Sequence, residues 1–297
     1  MVKCRRIFKI YYMTLELSLE NQQLIALPGN IRKETDLQWL SLYKNQLSEL
    51  PGWIGELKQL GFLNLGYNRI SQLPDSLGLL QKLHTLDIGH NALTSLPYSI
   101  GDLVNLNLFI YASNNELISL PASITKLGKL KYLNVAGNLL SNLPVEIGKM
   151  KSLRELRLYD NQLTSLPSSI GDLQQLKELH AMNNQLISLP FTIGNMHSLR
   201  EIRLSNNQIV SLPESITKLE GLHYLDMRNN RLNSLPDNIG DIKQLRLLDL
   251  RANELIRLPD SIASLTCLEK LDLRWNGFHS LPSWSKELEK NGCTVYY

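Results

Sequence analysis

The stretch LRELRLYDNQLTSLPSSIGDLQQ, residues 153–175, decides the fold of this 297-residue chain. It carries the pattern L-x-x-L-x-L-x-x-N-x-L-x-x-L-P-x-x-I-x-x-L-x-x, which recurs along the sequence. The prolines mark the period, because every gap between them is 23 residues except one of 24. They stand at positions 28, 51, 74, 97, 121, 144, 167, 190, 213, 236, 259 and 282. A fixed period of this length is typical of a solenoid, in which each unit buries its hydrophobic residues against the next.

Each period predicts one short strand and one helical turn. The L-x-L core alternates with period two, as a strand with one buried face does. Leu-Pro ends this region, and the following I-x-x-L-x-x-L spacing suits a helical or 3₁₀ turn with proline near its start. Stacked units would pair their strands in parallel at ~4.8 Å. The repeats begin at Thr14, Leu37, Leu60, Leu83, Leu106, Leu130, Leu153, Leu176, Leu199, Leu222, Leu245 and Leu268.

Asparagine occupies the ninth position of eleven repeats, and only the first repeat departs, with Gln22. An amide side chain both donates and accepts hydrogen bonds, so a column of asparagines can satisfy the backbone groups where each coil turns inward. We therefore predict a structural role for this column. Its members are Asn45, Asn68, Asn91, Asn115, Asn138, Asn161, Asn184, Asn207, Asn230, Asn253 and Asn276.

From residue 14 to about residue 285 the chain resembles the leucine-rich repeat family. Its 23-residue L-P-x-x-I form is similar to the repeats of plant intracellular Ras-group-related proteins and of bacterial leucine-rich repeat proteins. The resemblance implies an α/β fold: a right-handed curved solenoid with a parallel β-sheet on the concave face and short helical or 3₁₀ turns on the convex face. Members usually bind proteins or peptides on the concave face, so we expect such a partner in that groove.

The ends of the chain predict caps, since the last coils of a solenoid would otherwise expose their core. Residues 286–297 form the predicted C-terminal cap, with a short amphipathic helix that begins near Trp284 and stops at Gly292, followed by a strand. Residues 1–13 are interpreted as a basic and apolar extension or a cap strand. Attachment to a membrane surface is the other interpretation of this stretch. Met13 is also a possible native start.

Composition excludes several classes of protein. No uncharged apolar run approaches the ~18 residues of a transmembrane segment. Residues 1–13 carry a charge of +4, so the other 284 residues sum to −1, which is the +3 of the chain less this stretch. A nucleic-acid groove is not expected on so neutral a body. The three widely spaced cysteines indicate a reducing compartment, so we expect a cytoplasmic protein, with a secreted effector as the alternative.

No motif for catalysis or for a cofactor is found. The sequence lacks the glycine-rich loops that hold phosphates or dinucleotides. Its six histidines form no H-x-x-x-H pair, and no two cysteines stand at metal-ligand spacing. We therefore expect no cofactor, no metal site and no enzyme activity.

Alternation places the third, fifth and seventh residues of each repeat on the concave face, with the eighth just beyond the strand. The early repeats display aromatic rings there, and the middle repeats display arginine and histidine beside a column of glutamates. An aromatic patch on a sheet face marks a binding surface; a ladder that only stiffens neighbouring strands is the competing interpretation. The predicted partner-binding residues are Trp39, Tyr43, Phe62, Tyr67, Phe109, Tyr111, Tyr132, Arg157, Tyr159, His180, Met182 and Arg203.

The last repeats display Asp226, Asp249 and Asp272 beside a parallel column of arginines. We interpret these columns as a solvated charged face that needs no ligand, because neighbouring opposite charges offset the repulsion within each column. The single 24-residue repeat places its extra residue around 107–109 and predicts a bulge where the chain enters that strand. Two interpretations of the extra residue are retained: a tolerated insertion, and a bulge that changes the direction of side chains near a functional surface.

The sequence thus predicts a protein–protein interaction scaffold with no catalytic role of its own, and signalling is the process in which we expect it to act. Two other functions fit the same repeats. One is a bacterial effector or virulence-type protein acting on a host partner, and the other is the substrate-recognition subunit of an enzyme.

Overall fold

The computed structural model describes residues 15–280 and 282–297. Residues 1–13, the predicted N-terminal extension or cap strand, lie outside the described residues. The chain divides into two compact units, of which the first ends at Leu140 and the second covers Ser141–Tyr297. No helix in the described part of the chain is long and apolar enough to cross a membrane.

The first unit contains six strands that pair in parallel, each with the next in chain order. They are β1 (Leu15–Ser18), β2 (Leu37–Ser41), β3 (Phe62–Asn64), β4 (Thr85–Asp87), β5 (Phe109–Tyr111) and β6 (Tyr132–Asn134). From β2 onward each repeat position pairs with the same position of the next repeat, so that Trp39 lies opposite Phe62 and Phe109 opposite Tyr132. Equivalent side chains therefore form columns across the sheet.

The second unit continues the same arrangement with strands that also pair in parallel and in chain order. They are β7 (Glu155–Arg157), β8 (Glu178–His180), β9 (Glu201–Arg203), β10 (Tyr224–Asp226), β11 (Leu247–Asp249), β12 (Lys270–Asp272) and β13 (Thr294–Tyr296). The central residue of a strand points into the core, so Leu156 and Leu179 are fully buried. Residues on either side of it point to the opposite face of the sheet, which we call the outward face.

The turns that follow the prolines are 3₁₀ helices, as the repeat pattern predicts. They cover Gly29–Lys33, Gly52–Glu56, Asp75–Leu79, Tyr98–Asp102, Ala122–Lys126, Ile147–Lys149, Ser168–Asp172, Phe191–Asn195, Glu214–Lys218, Ile239–Asp241 and Asp260–Ser264. Most begin directly after proline, whose fixed φ suits the entry into the turn. The isoleucine of each turn is buried, as Ile170 and Ile193 show, and so is Leu77, which takes its place in one turn. Parallel strands, 3₁₀ turns and a leucine core together form a leucine-rich repeat solenoid.

The asparagine column joins each repeat to the one before it. The side chain of Asn207 accepts a hydrogen bond from the backbone N–H of Leu186 at 3.0 Å. Its amide nitrogen donates to the carbonyl oxygens of Ala181 and Leu204, each at 2.9 Å. Asn230 repeats the same three bonds one coil later. Buried backbone groups at the inward turn are thus satisfied by one amide per repeat.

The C-terminal end forms helix α1 (Ser285–Lys290) and strand β13, which pairs with β12. Leu288 and Cys293 are buried there, and the indole nitrogen of Trp284 donates to the carboxylate of Asp260 at 3.1 Å. Burial raises the pKa of the Cys293 thiol to about 11, so this cysteine is protonated and unreactive at neutral pH.

Candidate functional site

Two aromatic side chains stack at the start of the outward face in the first unit. The rings of Trp39 and Phe62 occupy the third positions of neighbouring repeats, with centroids 4.9 Å apart and planes inclined by 6°. Both rings are half-buried. They border a cavity of about 500 Å³ whose lining also includes Gln38, Gln59 and His84. The arrangement offers flat apolar surface beside hydrogen-bonding groups.

A second aromatic group lies where the strands of the first unit end. The rings of Tyr43 and Tyr67 meet edge to face at 5.3 Å, and the Tyr67 ring stacks on the His90 imidazole at 3.8 Å. Tyr67 is 46% exposed. It also has a φ of 55°, in the left-handed region where a bulky side chain is strained.

Phe109, Tyr111 and Tyr132 form a third aromatic group, with ring centroids 5.0–5.7 Å apart. Phe109 is 36% exposed and Tyr111 is half-buried, but Tyr132 is only 8% exposed. Tyr132 therefore packs against the other two rings and offers little surface of its own to a partner. Beside this group, burial raises the pKa of Asp87 against the opposing effect of the Gly89 N–H that it binds.

The extra residue of the 24-residue repeat lies just before β5. Leu106 keeps the buried first position, and the N–H of Leu108 bonds the carbonyl of His84 as the second position of a repeat does. Asn107 is thus the additional residue. The pairing of β4 with β5 shows no register shift, and Phe109 lies opposite Thr85. The insertion is absorbed before the strand, so the aromatic side chains keep the ordinary spacing.

In the second unit, histidine and arginine alternate with glutamate across three strands. The imidazole of His180 is 3.2 Å from the Glu178 carboxylate and 3.8 Å from that of Glu201. Arg203 pairs with Glu201 within its own strand and lies over the Tyr224 ring at 5.0 Å. His180 is 8% exposed, so it is largely enclosed by these partners.

Other predicted residues of this unit are more accessible. Arg157 donates to Glu155 within β7 at 2.5 Å, and its side chain is 36% exposed. Tyr159 and Met182 follow at the seventh positions of their repeats and are half-buried. Five of the predicted partner-binding residues therefore share the outward face of the second unit, and seven share that of the first.

One group in the second unit has the composition of a metal site. Side-chain atoms of Glu155, Glu178 and His180 lie within 4.8 Å of one another. Motif spacing did not predict this group, because its members come from two repeats. The guanidinium of Arg157 already neutralises Glu155, so a cation there would meet a positive charge at close range. The donor set fits an ion-pair network better than a metal centre.

The aspartate column of the last repeats corrects the sequence analysis. Asp226, Asp249 and Asp272 are 1%, 3% and 0% exposed, so they do not form a solvated face. Each carboxylate instead bonds the backbone N–H two residues later, as that of Asp226 does with Arg228 at 3.2 Å. Arg251 joins two of the repeats by contacting Asp249 at 2.6 Å and Asp272 at 3.4 Å.

The pKa values of the aspartates at the two ends of this column are shifted in opposite directions. Burial raises the pKa of Asp226 above its ordinary value, and the contact with Arg228 at 3.3 Å only partly offsets it. Burial alone would also raise the pKa of Asp272. The hydrogen bond from Arg274 and the charge of Arg251 overcome burial and hold the pKa of Asp272 below its ordinary value.

A feature that sequence reasoning missed is the left-handed backbone at the eighth position of the repeats. Asn183, Asn206 and Asn229 have φ values of 52–58° there. Their exposed side chains bond one another in sequence along the unit. Asparagine and glycine tolerate this conformation, whereas Tyr67 and Trp275 occupy it with large rings. The frequency of asparagine at this position was the available signal.

A family model described as a leucine-rich repeat region matches residues 118–206 and 192–290, which is more than half of the chain. Among curated protein sequences, none matches this chain.

Several solved structures are similar to this chain. A leucine-rich repeat protein of Leptospira interrogans is 31% identical, over 95% of both chains, with a TM-score of 0.49. An internalin of Listeria monocytogenes is 21% identical over 95% of this chain and 86% of its own, with a TM-score of 0.71, which shows the shared fold alone. The plant peptide hormone receptor RGFR1, solved in complex with RGF2, is 28% identical, with a TM-score of 0.63. That match covers 94% of this chain, which spans about half (54%) of the receptor chain.

Proposed function

Because the chain belongs to the leucine-rich repeat family, we propose that it is a protein-interaction scaffold whose outward face binds a protein or peptide partner. The aromatic groups of the first unit supply the apolar anchor of this surface. The arginines and Tyr159 of the second unit supply further contacts of their own. Tyrosine, tryptophan and arginine are the residue types that contribute most binding energy at protein interfaces.

One observation carries this proposal: Tyr67 keeps an exposed ring in a strained backbone conformation. A left-handed φ costs a bulky residue about 1 kcal/mol or more, and asparagine would avoid most of that cost. The ring gains one stacking contact with His90 but remains 46% exposed. Trp275 has the same backbone conformation, so strain alone does not mark a binding site. Tyr67 differs because its exposed ring belongs to an aromatic group with Tyr43 and His90, and this group offers apolar surface to a partner.

The likeness to a plant peptide hormone receptor supports a peptide or protein as the ligand. The proposal includes no catalytic role, and the ion-pair partners of the His180 imidazole are the carboxylates of Glu178 and Glu201. Location in the cytoplasm stays a prediction. Signalling, action as an effector on a host partner, and substrate recognition for an enzyme would use the same surface, so the identity of the partner distinguishes them.

The variant Tyr67→Asn tests the proposal. Asparagine fits the left-handed conformation, so we expect the melting temperature to stay the same or rise. The loss of the ring should abolish capture of the partner by the immobilised full chain, as quantified by mass spectrometry of the bound proteins from a cell extract. This combination separates a binding role from a folding role, because the variant is at least as stable as the original protein.

Trp275→Asn is the matched control. Trp275 also has a left-handed φ, of 60°, and is 71% exposed, but it belongs to the second unit and to none of the aromatic groups. This variant should keep the partner. Undiminished capture by Tyr67→Asn, or equal loss in both variants, would refute the assignment of the aromatic surface.

A further inference from the structure

The second residues of five successive repeats form a basic column along one edge of the second unit, and the next repeat has Glu269 at this position. The members of the column are Arg154, Lys177, Arg200, His223 and Arg246. Backbone hydrogen bonds of 2.7–2.9 Å connect each member to the next, from Lys177 to Arg154 through to Arg246 and His223. At ~4.8 Å per strand the column extends over about 19 Å. In the repeats of β2 to β6 of the first unit, the equivalent residues are mostly without such a charge. Only Lys131 carries one, and the other four are Gln38, Gly61, His84 and Leu108.

The positive charges of this column are accessible. Arg154 and Lys177 are exposed, and their side chains form no ion pair with any residue of 15–280 or 282–297. Arg200 donates one hydrogen bond to the carbonyl of Gly221 at 2.9 Å. Arg246 pairs with Glu269 at 3.3 Å, but both side chains are more than half exposed, and such pairs contribute little energy.

The pKa of His223 is affected by the positive charges on both sides of it in the column. Partial burial lowers the pKa of its imidazole, and the charges of Arg200 and Arg246 lower it further. His223 is therefore neutral at pH 7 and adds a hydrogen-bonding group between two cations. On one side Arg200 forms no ion pair within residues 15–280 and 282–297, and on the other side Arg246 pairs with the exposed Glu269.

A cleft of about 1100 Å³ lies beside the column. Its lining includes Arg200 with Lys218 and Lys243, and also the acids Glu220 and Asp241. The lining contains one histidine, His197, but no tryptophan, tyrosine or phenylalanine on which the bases of a nucleic acid could stack. Separate cations with acids between them suit a protein segment, whose carboxylates stand at discrete positions, better than the continuous phosphate backbone of a nucleic acid.

Spacing distinguishes the conformation of that segment. Acidic side chains on one face of a helix recur at about 5.4 Å per turn, close to the ~4.8 Å between the cations of the column. In an extended strand, residues on one side recur at about 6.6–6.8 Å and lose register with the column within two repeats. A helix can present one carboxylate to each repeat.

We propose that the basic edge of the second unit binds an acidic helix of a protein partner, with aspartate or glutamate at successive turns facing Arg154, Lys177, Arg200 and Arg246. This surface lies at the beginnings of the strands and is distinct from the outward face. If the basic edge fails to bind an acidic helix, the proposal for the aromatic surface is therefore unaffected. If the aromatic surface fails to bind a partner, the proposal for the basic edge is likewise unaffected.

The test uses a fluorescent alanine-based peptide of about 20 residues, long enough to be helical, with glutamate at one position per turn on a single face. Fluorescence anisotropy with the full-length protein at about 0.05 M salt measures the affinity. The double variant Arg154→Glu with Lys177→Glu should weaken binding about tenfold or more, because it reverses two accessible charges. Within the part of the chain that the structure describes, neither residue has an ion-pair partner, so the melting temperature should not change.

Two controls make the result specific. The double variant Arg231→Glu with Arg257→Glu changes the net charge equally at exposed positions away from the column and should bind as the original protein does. A peptide of the same composition with glutamates distributed around the helix should bind more weakly. Equal weakening by both variants, or equal affinity for both peptides, would overturn the proposal. Tighter binding of a single-stranded oligonucleotide that is lost in the Arg154 and Lys177 variant would overturn it as well.

Discussion

Asn207 joins two repeats through a single amide, whose oxygen accepts one hydrogen bond while its NH₂ group donates two. We expect Asn207→Ala to lower the free energy of unfolding by about 1–3 kcal/mol, because it leaves a buried N–H and two carbonyls without their partner. Thermal and urea denaturation followed by circular dichroism measures the loss.

The neighbouring residue supplies the control for this prediction. Sequence alone treats Asn206 as an exposed position that alanine could occupy at no cost, but its φ of 58° would strain alanine. Asn206→Gly keeps the backbone conformation and removes only exposed side-chain atoms. A loss of stability in Asn206→Gly as large as in Asn207→Ala would contradict the structural role of the ninth position.

Asp226 and Asp272 occupy the same repeat position and should respond oppositely to neutralisation. Asp226 has a raised pKa in the folded protein, so the stability that it contributes is present at low pH and is lost as pH rises through that pKa. Asp226→Asn should therefore preserve or raise the melting temperature at pH 7. Asn64 and Asn134 already accept the same backbone hydrogen bond at this position.

For Asp272 the pKa is lowered, so its contribution is present above the unfolded pKa of about 3.9 and is lost as pH falls through the folded value. Asp272→Asn should cost about 2 kcal/mol at pH 7, as the loss of a charge-assisted hydrogen bond does. The deficit should shrink when melting is measured near pH 3. A deficit independent of pH would show that charge is not the cause.

At the scale of elements, the 3₁₀ turns of neighbouring repeats approach so closely that one position excludes a side chain. A Cβ on Gly101 would lie 2.3 Å from the carbonyl oxygen of Ser123 in the next repeat. Gly101→Ala should therefore destabilise the first unit by about 1–3 kcal/mol, the usual cost of overpacking. Gly52→Ala is the control, because nothing lies within 4 Å of its Cβ and alanine restricts the unfolded chain.

Differential scanning calorimetry of the two glycine variants should show a lower melting temperature for Gly101→Ala alone. If both variants melt alike, the close approach between turns does not limit side-chain size. The close approach between neighbouring turns also gives a physical reason for the glycine that follows isoleucine in half of the repeats. The repeat pattern alone does not supply this reason.

For the whole molecule, the buried aspartates rule out the arginines of the last repeats as positions for a control variant in binding experiments. On sequence evidence, Arg251→Glu with Arg274→Glu is a mild change to a solvated face. In the structure Arg251 contacts Asp249 and Asp272, and Arg274 donates to Asp272, so reversing these charges would leave buried carboxylates without partners. Such a variant would report on stability and not on binding.

Net charge likewise conceals a local property. The sum for the repeats is close to zero, which argues against a nucleic-acid groove over the whole chain. Stacking nevertheless collects Arg154, Lys177 and Arg200 on one edge, where their charges act together. Residues 23 positions apart become neighbours only when each repeat lies beside the next.

The repeat, the parallel strands, a helical or 3₁₀ turn in each unit and the asparagine column could all be predicted from the sequence alone. Each depends on a rule that holds within one repeat: alternation in L-x-L, proline at the entry to a turn, and an amide beside unpaired backbone groups. The same rules placed Trp39, Phe62 and Phe109 on one face of the sheet, because side chains alternate along a strand whatever lies beside it.

Only the tertiary structure decided how those side chains meet. Tyr132 is buried among its neighbours, and His180 lies between glutamates of two strands. The carboxylates of Asp226 and Asp272 are buried. The physical reason is that burial, ion pairing and pKa depend on the neighbouring repeats, whose side chains compete for the same space. A single repeat gives the direction in which a side chain points, but its exposure and its charge state follow from the stack.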